Sequence, residues 1–157
     1  MRKKIFLPSA KDYKKFDRLY RQVKADLSIL IPNLKIFHVG STSVKGTWTK
    51  GDVDLNILCS GNEFKPFRAV LKRKYAVAQL GNWTDTFAGF ETQLEGVDVG
   101  LQLAIRNGPE DFFLRFRRLL RNPRVRSEYN KAKLTHRNDS VAVYRRMKVK
   151  VIGKYLQ

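Results

Sequence analysis

The amino-acid sequence predicts an α+β chain with one N-terminal helix, a mixed sheet of about four to five strands, and a helical C-terminal third. Three observations lead there. Apolar residues recur at helical spacing near both ends of the chain, short segments between them alternate apolar with polar residues, and a glycine-bounded connection, Gly40 to Gly51, joins two of those segments.

Ser9 is placed as a helix N-cap with Asp12 three residues on, and Phe16, Tyr20, Val23, Leu27 and Leu30 make a stripe that ends near Pro32. Leu34 to Val39 reads as a strand. Val53, Leu55 and Ile57 alternate with Asp52, Asp54 and Asn56, so the next strand has one apolar and one polar face. Ser60 to Glu63 signals a second helix carrying Phe64, Phe67, Val70 and Leu71, and Tyr75 to Leu80 a short strand after it. Gly81 to Thr84 is turn-like. Phe90 to Leu94 and Val97 to Ile105 are expected to pair as a hairpin about Glu95-Gly96, because glycine supplies the positive φ of tight turns.

Past Asn107-Gly108-Pro109 the pattern becomes helical. Phe112, Phe113, Phe116, Leu119 and Leu120 share one face, Pro123 interrupts it, and two more helices are expected over residues 125–136 and 140–155. No Gly/Ser-rich or Pro-rich linker is present, so residues 1–157 read as one domain, with a helix-plus-sheet core over 1–108 and basic helices over 109–157.

Lysine and arginine number 32 against 14 aspartate and glutamate, a formal net charge of +18. Such a field attracts polyanions, which makes nucleic acid, RNA above all, the expected macromolecular partner. The blander account of the same count is a solvated cationic surface. No stretch nears the ~20 apolar residues of a membrane span, and no signal-peptide core follows Met1-Arg2-Lys3-Lys4. The lone Cys59 can form no internal disulfide, so a soluble, cytoplasmic protein without a membrane partner is expected.

The chemistry is concentrated between His38 and Leu58. A strand that ends in Gly40-Ser41 and turns into a short helix exposes N–H groups and a hydroxyl, the parts from which phosphate sites are built. Asp52 and Asp54 lie two apart on a strand, so both carboxylates point to one face and can bind Mg²⁺ or Mn²⁺. Two metals serving an in-line displacement call for a third carboxylate, and Asp98, between Val97 and Val99, is the candidate. Glu91 and Glu95 are weaker alternatives.

Ser43 and Lys50 join Gly40 and Ser41 as candidate nucleotide contacts, since lysines beside the turn can neutralise triphosphate charge. His38 is expected to pack or hydrogen-bond at its strand end. Trp48 and Trp83 could stack on a base, although tryptophan in a chain of this size more often belongs to the core.

Gly40-Ser41, ten intervening residues, Asp52-Val53-Asp54-Leu55 and a later strand Asp98 together resemble the signature of the DNA polymerase β-type nucleotidyltransferase superfamily. That resemblance implies a nucleotidyltransferase-like fold, triphosphate contact by Ser41, metal binding by Asp52, Asp54 and Asp98, and a part for Asp98 in deprotonating the acceptor hydroxyl. Within the superfamily, Val39-Gly40-Ser41-Thr42-Ser43-Val44 with Gly46 is similar to the GrpB family. So are the run Phe113 to Pro123 and Glu128-Tyr129-Asn130-Lys131-Ala132-Lys133. Gly46-Thr47 and Lys50-Gly51-Asp52-Val53-Asp54 look more like oligoadenylate synthetase-type and minimal nucleotidyltransferases. GrpB-like sequences commonly keep one acidic residue on the second strand and a His-x-His late in the sheet. Here Asp52 and Asp54 are both present, Gly100 and Gln102 stand near the histidine positions, and Lys45 replaces a usual proline.

These residues imply a metal-dependent nucleotidyltransferase moving NMP from an NTP to a hydroxyl acceptor, expected to be RNA or another nucleic acid, with Mg²⁺ or Mn²⁺ as cofactor. The alternative is a catalytically inactive GrpB-like protein of the same fold that acts as a nucleic-acid binding module.

Overall fold

The computed structural model describes residues 10–156, and the expected Ser9 cap lies outside them. Helix α1, Ala10–Leu30, buries Phe16, Leu19, Val23 and Leu27, a run of three- and four-residue steps that keeps one stripe against the sheet. The stripe does not extend to Leu30, which is exposed. Ile31, one residue beyond the helix, is buried instead, because the chain turns toward Pro32 and Asn33 takes a φ of 62°.

Five strands form one mixed sheet in the order β1-β2-β5-β4-β3. They are β1 Lys35–Val39, β2 Val53–Cys59, β3 Ala76–Ala78, β4 Phe87–Leu94 and β5 Val97–Ile105. The β2–β5 pair is parallel and every other pair antiparallel. A parallel neighbour requires a long crossover. Helix α2, Gly61–Lys74, together with β3 and β4 supplies it, and a reciprocal Ser60–Glu63 capping box starts that helix.

Period-two alternation divides the sheet into two faces of different character. Val53, Leu55 and Ile57 of β2 and Val97, Val99, Leu101 and Leu103 of β5 are buried in one cluster with the α1 stripe and with Phe64 and Leu71 of α2. The opposite face carries Asp54 and Asn56, aligned with Gly100 and Gln102. Farther along that face Leu58, Phe87 and Ala104 form a small apolar cluster against Phe37, Phe113 and Leu114.

The expected strand over Tyr75 to Leu80 is shorter in the structure, only Ala76–Ala78, because Gln79 adopts a left-handed φ of 52° and a 3-10 turn follows. Strand β4 starts at Phe87 and so includes more residues than the alternation from Phe90 indicates. The hairpin turn falls where expected. Glu95 and Gly96 have φ values of 51° and 75°, the paired left-handed geometry whose twist matches two-residue hairpins.

Three helices complete the chain: α3 Phe113–Leu120, α4 Pro123–Thr135 and α5 Val141–Leu156. Pro123 separates α3 from α4 and also opens α4, where a missing N–H costs nothing, while the Asn122 side chain caps the helix by accepting from Arg124 N at 3.0 Å. Phe116, Leu120 and Tyr129 bury against Val44 in the connection after β1, with Val151, Ile152 and Leu156 packed on them. Among the described residues no helix is long and apolar enough to cross a membrane.

The two faces of β5 predict opposite mutational outcomes. Leu101→Ala should cost about 2–5 kcal/mol, whereas Asp98→Ala, on the exposed face, should stay within about 0.5 kcal/mol. Urea unfolding of both variants checks this, and equal destabilisation would contradict the face assignment.

Candidate functional site

The Gly-Ser turn after β1 is held by its own short bonds. Gly40 has φ 75° and ψ −171°, a conformation that L side chains rarely adopt, and a 3-10 turn, Ser41–Ser43, follows. Ser43 closes it twice: its N–H donates to Gly40 O at 3.2 Å and its Oγ to the same carbonyl at 2.6 Å. Ser43, expected to contact nucleotide, therefore braces the turn, while Ser41 faces the helices of the C-terminal third.

The Asp54 carboxylate fits between two glycines. A Cβ on Gly40 would come within 2.7 Å of Asp54 Oδ2, and a Cβ on Gly100, its partner across β5, within 2.7 Å of Oδ1. Gln102 Nε2 donates to Oδ1 at 3.1 Å. Burial, and after it the like charge of Asp52, push the Asp54 carboxyl up to about 6, against a weaker pull from Gln102 and from Lys148 and Lys50. Asp52 itself lies 3.7 Å from Lys50 Nζ.

Helix α4 reaches across to this turn. Lys133, with 2% of its surface exposed, donates through Nζ to Ser41 Oγ and, at 2.6 Å, to Trp48 O. The ammonium stands 4.4 Å from the centroid of the Tyr129 ring, one helical turn away. Burial holds the Lys133 amine well below the ordinary lysine range, and nearby Lys148 lowers it further. The same helix grips the connection between β1 and β2: Asn130 Oδ1 accepts from Trp48 N at 2.8 Å while its Nδ2 donates to Gly46 O at 2.9 Å.

Helix α5 adds Tyr144 and Lys148. Lys50 Nζ lies 5.8 Å from the centroid of the Tyr144 ring, Asp52 and Tyr129 act on its phenol, and that buried hydroxyl has no hydrogen-bond partner among the described residues. Three lysines, 50, 133 and 148, thus act electrostatically on an aspartate pair beside a serine-bearing turn. The arrangement suits a polyphosphate held together with a divalent cation.

Of the residues singled out in the sequence, the structure brings together Gly40, Ser41, Lys50, Asp52 and Asp54. Asp98 shares the polar sheet face, but it is exposed and accepts a hydrogen bond from Gln93 Nε2 at 2.7 Å. Among the described residues no three His, Cys, Asp or Glu side chains gather closely enough to hold a metal ion. Glu91 lies across β4 from Gly100 and is exposed, and Glu95 pairs with Arg18 at 2.7 Å.

Lys133, Tyr129, Tyr144 and Lys148 were not identified as site residues from sequence. The available signal was one spacing used twice, since Tyr129-x-x-x-Lys133 on α4 and Tyr144-x-x-x-Lys148 on α5 each place a phenol and an amine on one helical face.

His38 packs, as expected of a strand-end histidine. Its ring stacks on Tyr20 with centroids 5.0 Å apart, its Nε2 lies 2.9 Å from Thr42 Oγ1, and burial lowers its pKa to about 4, leaving it neutral. Trp83 packs against Phe90 and donates to Ala78 O and Gly89 O, consistent with a core role.

The sequence pattern of the GrpB protein family matches residues 10–157. A UPF0157 protein of Vibrio cholerae serotype O1 is 28% identical over 145 residues, covering 89% of this chain and 75% of that protein. The crystal structure of conserved protein GrpB from Enterococcus faecalis superposes with a TM-score of 0.66 at 18% identity, over 98% of this chain and all of that one, 100%. Cid1, described as an RNA terminal uridylyl transferase, gives a TM-score of 0.54 at 14% identity over 83% of this chain and 40% of its own. Cid1 poly(U) polymerase bound to MgATP gives 0.56 at 13% identity, over 83% and 43%. The likeness to Cid1 is one of fold, and it identifies the mixed sheet as nucleotidyltransferase-like. With its family pattern running from the first described residue to the end of the chain, the protein belongs to the GrpB family.

Proposed function

We propose that this protein is a metal-dependent nucleotidyltransferase that moves NMP from an NTP to a hydroxyl acceptor, with RNA the favoured acceptor class. The observation that carries this reading is the meeting of the Ser41–Lys133 contact with the Asp52–Asp54 pair. One group of residues offers cations and hydroxyls to phosphate, while the other offers two neighbouring carboxylates. Burial and the like charge of Asp52 raise the Asp54 pKa, and a divalent cation would offset both.

Asp52 and Asp54 would hold Mg²⁺ or Mn²⁺, which when bound neutralises phosphate charge and polarises the reacting oxygens. Asp98 is assigned as the third carboxylate of that face, and its recruitment would exchange its bond to Gln93. Ser41 and the N–H groups of its turn receive the terminal phosphates. Lys133 and Lys148 place positive charge beside them, Lys50 is available once it leaves Asp52, and the unpartnered Tyr144 hydroxyl can donate to the ligand. Gly40 and Gly100 leave the Asp54 carboxylate the room that a Cβ at either position would take.

The second reading, a binding module without catalysis, is favoured by one observation: Asp98 stands apart from the aspartate pair. Incubation with labelled NTPs, Mg²⁺ or Mn²⁺ and bulk RNA separates the two. Transfer by the wild type that Asp52→Asn/Asp54→Asn lowers at least 100-fold supports catalysis; equal incorporation by both rejects it.

Lys133→Met should leave the fold intact by circular dichroism yet weaken NTP binding ten-fold or more, since it removes a charge-assisted phosphate contact of roughly 1.5–3 kcal/mol. Undiminished binding, measured by equilibrium dialysis, would assign Lys133 to structure alone.

Proton linkage supplies a further test. Metal binding needs the Asp54 carboxylate ionised, so Mg²⁺ affinity should fall as the pH drops through about 6. In the absence of metal the same group works the other way on stability. The folded state keeps a proton that the unfolded chain releases at the ordinary carboxylate pKa of 3.8, so this contribution declines as pH rises from there to about 6. Asp52→Asn removes the like charge and should shift both transitions to lower pH, readable by Mg²⁺ titration and by thermal melts.

A further inference from the structure

A cavity of about 450 Å³ opens where the loop over residues 107–112 meets α3. Its lining includes Leu58, Pro109, Phe112, Leu114 and Arg115. Leu58 lies four residues after Asp54 on β2, and by strand alternation both side chains project from the same sheet face. At about 3.3 Å per residue the cavity floor is about 13 Å from Asp54, a distance that an extended polynucleotide covers in a few nucleotides.

Arg115, Arg117, Arg118 and Arg121 fall within seven residues of chain at and beyond this cavity. Among the described residues none of them lies within 4.0 Å of a carboxylate, although five such ion pairs exist elsewhere. Arg117 is turned inward, donating to His38 O at 2.7 Å, while Arg115, Arg118 and Arg121 are exposed. Beyond the effect of burial, Arg121 and Arg118 disfavour the charge on Arg117 while Tyr20 and Tyr13 favour it, so the row is crowded with like charge that no described carboxylate pairs with. The lining carries one acid, Asp111, whose carboxylate accepts from the N–H of Asn107, another lining residue, at 2.7 Å.

We infer that the cavity walled by Phe112 and Arg115, with the arginine row continuing from it along α3, binds the single-stranded polynucleotide whose end is presented to the Asp52–Asp54 pair. The identity of that end rests on the nucleotidyl-transfer reading; the surface itself is argued from its own residues. A flat aromatic wall beside exposed guanidinium groups matches a strand of alternating bases and phosphates, because bases stack on rings and phosphates take the planar fork of arginine. A single strand fits and a duplex does not, since a base must leave its stack to enter the cavity.

The test is fluorescence anisotropy with a labelled oligonucleotide of mixed sequence, in separate RNA and DNA arms, without NTP or metal. Binding in either arm supports the inference, and the ratio of the two identifies the preferred sugar. Arg115→Gln/Arg118→Gln should weaken binding ten-fold or more and flatten the dependence of log affinity on log salt by about 1.4. Phe112→Leu, which keeps bulk but removes the ring, should weaken it about five-fold or more with the salt slope unchanged. Thermal melts check that each variant folds.

Lys72→Gln/Lys74→Gln on α2 removes the same charge from elsewhere and should leave affinity within about two-fold. An equal loss from the α2 variant would show a general charge effect and overturn the inference, as would wild-type affinity in both α3-region variants or no binding by the wild type. Because the assay contains no turnover, absence of nucleotidyl transfer leaves this surface standing. Failure here leaves transfer to a different acceptor standing.

Discussion

The grip of α4 on the connection between β1 and β2 is the contact on which the rest of the site depends. A loop that leaves one strand at Gly40 and enters its neighbour at Asp52 has many backbone groups to satisfy and few partners of its own. Asn130 supplies two of them from a single side chain, meeting Trp48 N and Gly46 O, and Lys133 supplies a third at Trp48 O. The loop must be pinned for Ser41 to hold one position, and the helix that pins it is also the helix that carries the buried amine to the serine. Val44 entering the cluster of Phe116, Leu120 and Tyr129 adds the apolar part of the same junction.

Electrostatic imbalance is built into this arrangement in two forms. Burial and the like charge of Asp52 raise the Asp54 pKa, and burial, with Lys148 nearby, lowers that of the Lys133 amine, which forms no ion pair among the described residues. In a finished structural core such groups would be paired with each other or replaced, since an unneutralised buried charge is costly. Here they stand near one another but bond to neutral atoms, Gln102 in one case and Ser41 and Trp48 O in the other. That pattern is what the proposed pairing of a nucleotide with a divalent cation would complete.

What the sequence made legible follows from how local each signal is. Gly40-Ser41 and the Asp52/Asp54 pair are short-range patterns, and period-two alternation was enough to place Asp98 on the correct face. It could not supply the distance from Asp98 to the pair, because that depends on which strands lie side by side and on a neighbour, Gln93, reached around the hairpin. Lys133, Tyr144 and Lys148 were invisible as site residues because they arrive from helices far along the chain, although the repeated Tyr-x-x-x-Lys spacing was there to be read. Gly100 carried a signal as well: a glycine inside a strand often marks a close approach, here of the Asp54 carboxylate.

The parallel pairing of β2 with β5 has a consequence for the life of the chain during synthesis. Asp54 meets its partner strand only after the whole crossover through α2, β3 and β4 has been made, and Ser41 meets Lys133 only after some ninety further residues. The Ser41 turn and the aspartate pair therefore remain without their helical contacts on a nascent polypeptide until α4 and α5 leave the ribosome. A ribosome-bound fragment ending before those helices would carry the Gly-Ser turn and both aspartates yet lack the amines that answer them. The junction of turn, aspartate pair and C-terminal helices is thus completed late in translation.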